Sequence, residues 1–242
     1  MTLRIFLAGA SGAIGRRLVP LLRGAGHEVV GTTRDPAKVR LLRLLGAEPV
    51  VVDVFDAAAL ADAVWATRPQ VVIHQLTDLP PGVDPARMAD AIPRNARVRS
   101  EGTRNLIAAA REAGARRLIA QSIAWLYAPG TPPYAEDHPL RPAEGASRVS
   151  IEGVVALETQ VLNAPSLNGI VLRYGQFYGP GTGVEAPGAP GSVHVDAAAQ
   201  AALLAVDRGR PGIFNVAEPG GSVLAEKAVR ELGWDPDFRL PA

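Results

Sequence analysis

Short apolar runs alternate along this chain with longer segments in which apolar residues recur every three or four positions. The short runs are typical of strands buried on both faces, and the longer segments are typical of helices that cover a sheet. The pattern predicts strands over residues 3–8, 27–33, 49–54, 70–75, 116–121, 169–173 and 213–216. It predicts helices from residue 14 onward and over 36–45, 57–67, 88–113, 146–162, 196–207 and 222–232. This alternation predicts an α/β fold with a doubly wound parallel sheet.

A glycine-rich turn joins the first predicted strand to the first predicted helix. It reads Gly-Ala-Ser-Gly-Ala-Ile-Gly from Gly9 to Gly15. Glycine lets the turn bend and lets phosphates approach the backbone, and the start of a helix favours an anion. The turn therefore predicts a dinucleotide pyrophosphate site made by Gly9, Ser11, Gly12, Ala13, Ile14 and Gly15.

The residue after the second predicted strand indicates which dinucleotide is bound. An acidic residue there accepts a hydrogen bond from the adenosine ribose and favours NAD, whereas an arginine pairs with the 2′-phosphate of NADP. Arg34 holds that position, and Arg16 and Lys38 could add positive charge. Asp35 comes one residue later, in the sequence context of a helix cap. NADP is therefore predicted in preference to NAD.

Composition narrows the class of protein. The 242 residues carry a formal net charge of +1, with no cysteine and four histidines far apart in sequence. The charge gives no sign of a nucleic-acid or membrane partner, and no membrane-length run or signal-peptide pattern is present. Without cysteine or closely spaced histidines, no metal site is predicted. We expect a cytoplasmic protein that acts on a small-molecule substrate.

Segments beyond the glycine turn resemble motifs of the short-chain dehydrogenase/reductase superfamily, on the side of its extended NAD-dependent epimerase/dehydratase proteins. With the turn they cover nearly the whole chain, and they are Val52–Val54, Val72–Leu76, Gly102–Ile107, Leu172–Pro180, Val193–Asp196 and Phe214–Val216. The resemblance implies a Rossmann fold and a nicotinamide cofactor. It implies that Asp53 and Val54 hold the adenine. The residues that it implies beside the nicotinamide and its ribose are Gln75, Leu76, Thr77, Tyr174, Gly175 and Phe177.

The resemblance also bears on domain organisation. It implies a single Rossmann-type domain over residues 1–242, with a reduced C-terminal substrate lobe within about 178–195 and 217–242. It is compatible with a homodimer formed through the helices around 96–113 and 146–162.

The positions that carry the family's reaction are all substituted. Its asparagine, serine or threonine, tyrosine and lysine align with Arg99, Ile123, Ser150 and Val154. No lysine lies between Lys38 and Lys227, so the Tyr-x-x-x-Lys pair of the family cannot form in this part of the chain. The resemblance is therefore to an atypical member.

The chemistry that remains favours reduction. A tyrosine without a neighbouring lysine keeps a pKa near ~10, so it can donate a proton but is a poor base. Tyr127, after the fifth predicted strand, is the predicted proton donor. Ser122 is predicted to hydrogen-bond the substrate, and Tyr134 and His138 lie on a loop that could reach the same cleft.

These observations predict an NADP-dependent reductase of a carbonyl, enone or imine, with a place in secondary metabolism. Two alternatives stay open from the sequence. One is non-redox chemistry on the same scaffold, by an isomerase, cyclase or lyase. The other is a binding protein that senses NADP and regulates a partner.

Overall fold

The structure is a computed structural model that describes residues 1–241. The strands are β1 (Arg4–Ala8), β2 (Glu28–Thr33), β3 (Glu48–Val51), β4 (Val71–His74), β5 (Arg117–Ile123), β6 (Asn168–Tyr174), β7 (Phe177–Tyr178), β8 (Val193–His194) and β9 (Gly212–Val216). Seven of them form a central parallel sheet with the order β3-β2-β1-β4-β5-β6-β9. The two short strands β7 and β8 pair with each other beside it.

Helices cover both faces of the sheet. The helices are α1 (Ala13–Gly24), α2 (Val39–Leu44), α3 (Ala57–Thr67), α4 (Pro85–Arg97), α5 (Thr103–Glu112), α6 (Arg148–Leu162), α7 (Val195–Leu204) and α8 (Glu226–Leu232). One apolar core lies under α1, α7 and α8, and a second lies under α3, α5 and α6. The predicted doubly wound parallel sheet is confirmed.

Among the predicted elements whose bounds differ in the structure, two lie close to the candidate site. The third strand is expected over 49–54, but β3 stops at Val51, because Asp53 accepts a hydrogen bond from the Phe55 N–H at 2.9 Å and forms a turn. The helix expected over 88–113 begins at Pro85 and contains a π-helical turn, Val98–Gly102, between α4 and α5. A π-helical turn inserts an extra residue and often marks a functional site.

The C-terminal part packs on α7. The indole N–H of the buried Trp234 donates to the Ala197 carbonyl at 2.8 Å. The backbone N–H of Leu240 donates to the Asp196 carboxylate at 3.0 Å, and Arg17 on α1 forms an ion pair with that same carboxylate. Residues 1–241 contain no helix that is both long enough and apolar enough to cross a membrane.

Candidate active site

The carboxyl ends of parallel strands meet at one edge of the sheet, where doubly wound folds bind their ligands. The glycine turn lies at that edge and is tightly packed. A Cβ on Gly9, whose φ is +92°, would lie 2.6 Å from the Gln75 carbonyl oxygen. A Cβ on Gly15 would lie 2.6 Å from the Ala10 carbonyl carbon. Neither position has room for a side chain, so the close approach of these backbones requires glycine.

The first turn of α1 is open to an anion. Gly12 precedes the helix in an extended conformation and offers no side-chain cap, and the first turn carries no acidic residue. The helix therefore presents uncapped N–H groups and its positive end to the turn formed by Gly9–Gly15. The turn and the helix start fit a pyrophosphate.

Charged side chains of both signs meet where the adenosine would lie. Arg34, 60% exposed, places its guanidinium 3.2 and 3.4 Å from the two carboxylate oxygens of Asp78. Arg94 of α4 lies 3.6 Å from the same carboxylate. Two guanidinium groups thus face one carboxylate, which leaves net positive charge. Local sequence pattern does not reveal Asp78 and Arg94, because Asp78 is separated from Arg34 by two crossover connections and Arg94 lies on α4.

The segments predicted to hold the adenine occupy the turn between β3 and α3. Asp53 is exposed and uses one carboxylate oxygen in the turn described above. Val54 is buried, and its carbonyl accepts from the Asn105 side chain at 2.9 Å. The carboxylate of Asp53 therefore keeps acceptor capacity for a ligand.

The segment after β4 combines a fixed backbone with an unpaired amide. The Leu76 N–H donates to Nδ1 of His74 at 3.2 Å, while Nε2 of His74 lies 3.1 Å from the Thr103 hydroxyl. Burial and the positive charge of Arg99 lower the pKa of His74 to about 4, so the ring is neutral at pH 7. The side-chain amide of Gln75 is buried, and neither of its polar atoms makes a hydrogen bond of good geometry among residues 1–241, although the amide is near enough to the Tyr174 hydroxyl to lower the pKa of that tyrosine slightly. Such an amide can form hydrogen bonds with a polar group of a ligand. Thr77, two residues further along the chain, is exposed.

The segment after β6 is compact. Gly175 is buried, and a Cβ there would collide with the backbone of Gly191. The rings of Tyr174 and Phe177 pack with centroids 5.3 Å apart. Burial raises the pKa of Tyr174, whose hydroxyl donates to the Ala198 carbonyl at 3.2 Å. Phe177 is only partly buried, so part of its ring remains available to a ligand.

Ser122 belongs to a buried row of polar residues across three neighbouring strands. Its Cα pairs with that of Arg173 on β6, which pairs in turn with Asn215 on β9. The Ser122 hydroxyl donates to the Glu158 carboxylate at 2.7 Å. Arg173 donates to both oxygens of Glu158, at 2.9 and 2.6 Å. Burial favours a lower pKa for Arg173, but its contacts with Glu158 outweigh burial and raise it.

Tyr127 joins the same row from the loop after β5. Its hydroxyl donates to Asn215 Oδ1 at 2.6 Å and accepts from Arg173 at 2.8 Å, and the residue is 4% exposed. Burial raises the pKa of Tyr127, partly opposed by Arg173. Its ring packs on Tyr134, which stacks on His138. The catalytic roles of Tyr127 and Ser122 stay predictions, since both hydroxyls are engaged inside the protein.

The four positions aligned with the family's reactive residues are buried or partly buried. Ile123 and Val154 are buried aliphatic side chains, and Ser150 is partly buried. Arg99 is 7% exposed and lies in the π-helical turn. Together these four residues do not reproduce the hydroxyl and amine pair of the family's tyrosine and lysine.

Elsewhere among the described residues, neither surface grooves nor clusters of metal-ligating side chains offer a better candidate site. Two shallow grooves of about 310 and 320 Å³ lie at the opposite end of the sheet, around the exposed pair Arg4–Glu28. That is the edge where parallel strands begin, so we place the site at the other edge. Within residues 1–241, no three histidine or carboxylate side chains cluster to hold a metal ion.

Comparison with known proteins agrees with this geometry. Residues 5–203 match the sequence profile of the family described as "NAD dependent epimerase/dehydratase family". A relative from Streptomyces sp, named 3-diazoavenalumate denitrifying reductase, is 39% identical over 99% of this chain and 85% of its own length. A dTDP-4-dehydrorhamnose reductase from Streptomyces griseus is 31% identical over 74% of this chain and 51% of its own.

Solved structures share the fold. The UDP-glucose 4-epimerase of Thermotoga maritima, solved with UDP-glucose, superposes with a TM-score of 0.78 at 19% identity, covering 98% of this chain and 94% of the other. The UDP-glucose 4-epimerase of Thermus thermophilus, solved with NAD, gives a TM-score of 0.76 at 22% identity, covering 98% and 95%.

Proposed function

We propose that this chain, which belongs to the NAD dependent epimerase/dehydratase family, is an NADP-dependent reductase whose acceptor needs no proton from a tyrosine–lysine pair. The family match and the relatives named as reductases identify the chain as an enzyme and an NAD(P)-dependent oxidoreductase. The preference for NADP and the class of acceptor are the proposal.

The observation that carries the proposal is that both candidate hydroxyls already donate inside the protein. Ser122 donates to Glu158, and Tyr127 donates to Asn215. A ketone that accepts a hydride becomes an alkoxide, and a positioned acid that protonates it contributes about 10²–10⁴-fold in rate. Of the carbonyl, enone and imine acceptors expected from the sequence, a simple carbonyl therefore loses most from the lack of a free proton donor.

Acceptors that carry positive charge, or that take a proton from water, avoid this requirement. An iminium ion is neutralised by hydride, and an enone yields an enolate that water can protonate. An aryl diazonium ion is also cationic. Hydride would form an N–H bond at its terminal nitrogen, the C–N bond would then break with loss of N₂, and the hydrogen would end on the ring carbon. The name of the 39% identical relative favours the diazonium class among these three.

The chain's own residues would bind and orient the reactants. A bound reduced nicotinamide would supply the hydride. The glycine turn and the start of α1 would hold the pyrophosphate, with Gly9, Ser11, Gly12, Ala13, Ile14 and Gly15 as its contacts. The pair of guanidiniums at Arg34 and Arg94 would attract a 2′-phosphate. The amide of Gln75 and the ring of Phe177 would contact the nicotinamide end.

The test compares acceptors on the same aryl group. Oxidation of NADPH is followed with a ketone, an enone, an imine and an aryl diazonium salt, and N₂ release is measured for the last. We expect turnover with the diazonium and slower or no turnover with the ketone. A ketone reduced as fast as the diazonium would contradict the proposal. Tight NADP binding without turnover of any acceptor would favour the regulatory alternative.

Replacing Tyr127 by phenylalanine tests the proton donor directly. If the acceptor needs no proton from the protein, Tyr127→Phe keeps kcat within a few-fold of the wild type. The variant should still lose roughly 1–3 kcal/mol of unfolding free energy, because Asn215 and Arg173 each lose a buried partner. Measurement of kcat and of urea unfolding separates the two effects. A fall in kcat of about 10²-fold or more would instead support the predicted donor role.

A further inference from the structure

Arg99 is a buried cation without a partner. It lies in the π-helical turn Val98–Gly102, which packs against α6, and it is 7% exposed. Its guanidinium makes no hydrogen bond, ion pair or aromatic contact with any of residues 1–241. Burial lowers the pKa of Arg99 to about 10, partly offset by Glu158, so it is still charged at pH 7.

The ionisable groups near Arg99 do not neutralise it. Glu158 is occupied by two hydrogen bonds from Arg173 and one from Ser122. His74 is neutral, and both of its ring nitrogens have partners. A buried charge without a counter-ion destabilises the fold. A ligand that brings an anion to this position would offset that destabilisation.

The guanidinium remains open to a ligand. Among residues 1–241, the only polar side-chain atoms that are both fully enclosed and without a hydrogen bond are those of the Gln75 amide. The nitrogens of Arg99 make no hydrogen bond with these residues either, so they are not fully enclosed. Thr103, four residues after Arg99, contacts His74, the last residue of β4, at 3.1 Å, and Glu158, whose charge acts on Arg99, holds Ser122 on β5. Arg99 therefore lies near the carboxyl ends of β4 and β5, where a substrate would approach.

We propose that Arg99 binds the carboxylate group of the substrate. One unpaired guanidinium matches one negative charge, and its planar fork matches a carboxylate in bidentate geometry. A phosphate would bring a second charge that no neighbouring cation balances, since Arg173 already pairs with Glu158. The inference rests on the proposed function for the reaction: Arg99 would fix one end of a small organic acid while its reducible group faces the nicotinamide.

A binding experiment tests this assignment without turnover. Benzoate and cinnamate are titrated into the NADP-loaded protein by calorimetry, with their methyl esters as neutral matches. The wild type should bind the acids roughly tenfold or more tighter than the esters. Arg99→Gln should weaken acid binding by roughly 10–100-fold and leave ester binding unchanged, as expected for a charge-assisted pair. Arg99→Lys should keep part of the preference, because it keeps the charge but not the fork.

Controls separate the sources of the effect. Arg97→Gln removes a neighbouring arginine that pairs with Glu101 at the surface, and it should leave acid binding as in the wild type. The Kd of NADP should be the same in all variants. The assignment is overturned if Arg99→Gln binds the acids like the wild type, if it weakens NADP instead, or if the wild type shows no preference for acid over ester. Loss of acid binding in Arg99→Gln, combined with no turnover of any acceptor by the wild type, would refute the proposed reaction and leave the carboxylate site standing.

Discussion

At the residue scale, we propose that Arg34 and Asp78 set the choice between NADP and NAD. Arg34 is held by Asp78, so a 2′-phosphate must compete with a carboxylate for it. Arg34→Gln should weaken NADP binding roughly 10–100-fold and leave NAD nearly unchanged, because only NADP offers the charge-assisted pair. Asp78→Asn should tighten NADP, since it removes the competing charge. The Kd values of both cofactors, measured by nicotinamide fluorescence, check this. Equal losses of NAD and NADP in Arg34→Gln would contradict it.

The sequence shows some of these residues and hides others for a physical reason. The contacts of Gly9–Gly15 are largely local, so the spacing of the glycines already describes the turn. Arg34 and Asp78 are 44 positions apart, and the Ser122–Glu158 link spans 36. Such contacts depend on how helices pack over strands, which local pattern does not specify. Gln75 appears in the sequence as a candidate, but its lack of partners appears only in three dimensions.

At the scale of an element, α1 contains two glycines with opposite roles. Gly15 faces the glycine turn without space for a Cβ, whereas a Cβ on Gly24 would meet nothing within 4 Å. Gly15→Ala should lower the melting temperature and abolish NADP binding, because the turn must open to admit the methyl group. Gly24→Ala is the matched control and should be neutral or stabilise the protein by up to about 1 kcal/mol. Thermal melting with and without NADP tests both. Normal cofactor binding by Gly15→Ala would show that the turn is not the cradle.

His74 couples β4 to α5 and makes that link sensitive to acid. Its pKa is about 4 in the folded protein, against the ordinary histidine value of 6.5 that applies in an unfolded chain. Above pH 6.5 neither state is protonated, and stability is unaffected. As pH falls from 6.5 to 4, the unfolded chain gains a proton that the fold resists, so stability falls by about 3 kcal/mol. Urea unfolding at several pH values should show this slope in the wild type and a shallower one in His74→Gln. An identical slope in the two proteins would contradict the assignment.

The elements also show where sequence patterns are limited. Strands β1, β4 and β5 and helix α3 lie close to their predicted bounds, because each combines a clear periodicity with a cap or a turn. The break between α4 and α5 could not be predicted, since the hydrophobic period continues through it while the backbone adopts a π-helical turn. That break holds Arg99, so the position of this unpaired charge depends on a backbone feature that the hydrophobic pattern does not reveal.

At the scale of the whole molecule, one edge of the sheet gathers the segments that follow five different strands. The glycine turn follows β1, Arg34 follows β2, Gln75 follows β4, Ser122 lies near the end of β5, and Gly175 follows β6. A doubly wound topology produces this gathering, whichever reaction is catalysed there. The topology was predictable from the alternation of elements. The homodimer, by contrast, stays a prediction.

We propose that the substrate lobe is formed by segments within about 178–195 and 217–242, and the C-terminal tail connects these two segments. The Arg239 guanidinium donates to the Tyr178 hydroxyl at 3.0 Å and to Glu218 at 3.1 Å, so it joins the two halves of that lobe. A protein that ends at Phe238 loses this clasp and the bond from Leu240 to Asp196. We expect its substrate KM to rise several-fold, while the Kd of NADP stays the same, because the proposed cofactor cradle lies in the turn between β1 and α1. Arg230→Ala is the control, since its partner is the adjacent Glu231. Steady-state kinetics and cofactor titration check the expectation, and an equal loss in NADP binding would show that the tail supports the whole site rather than a substrate lobe.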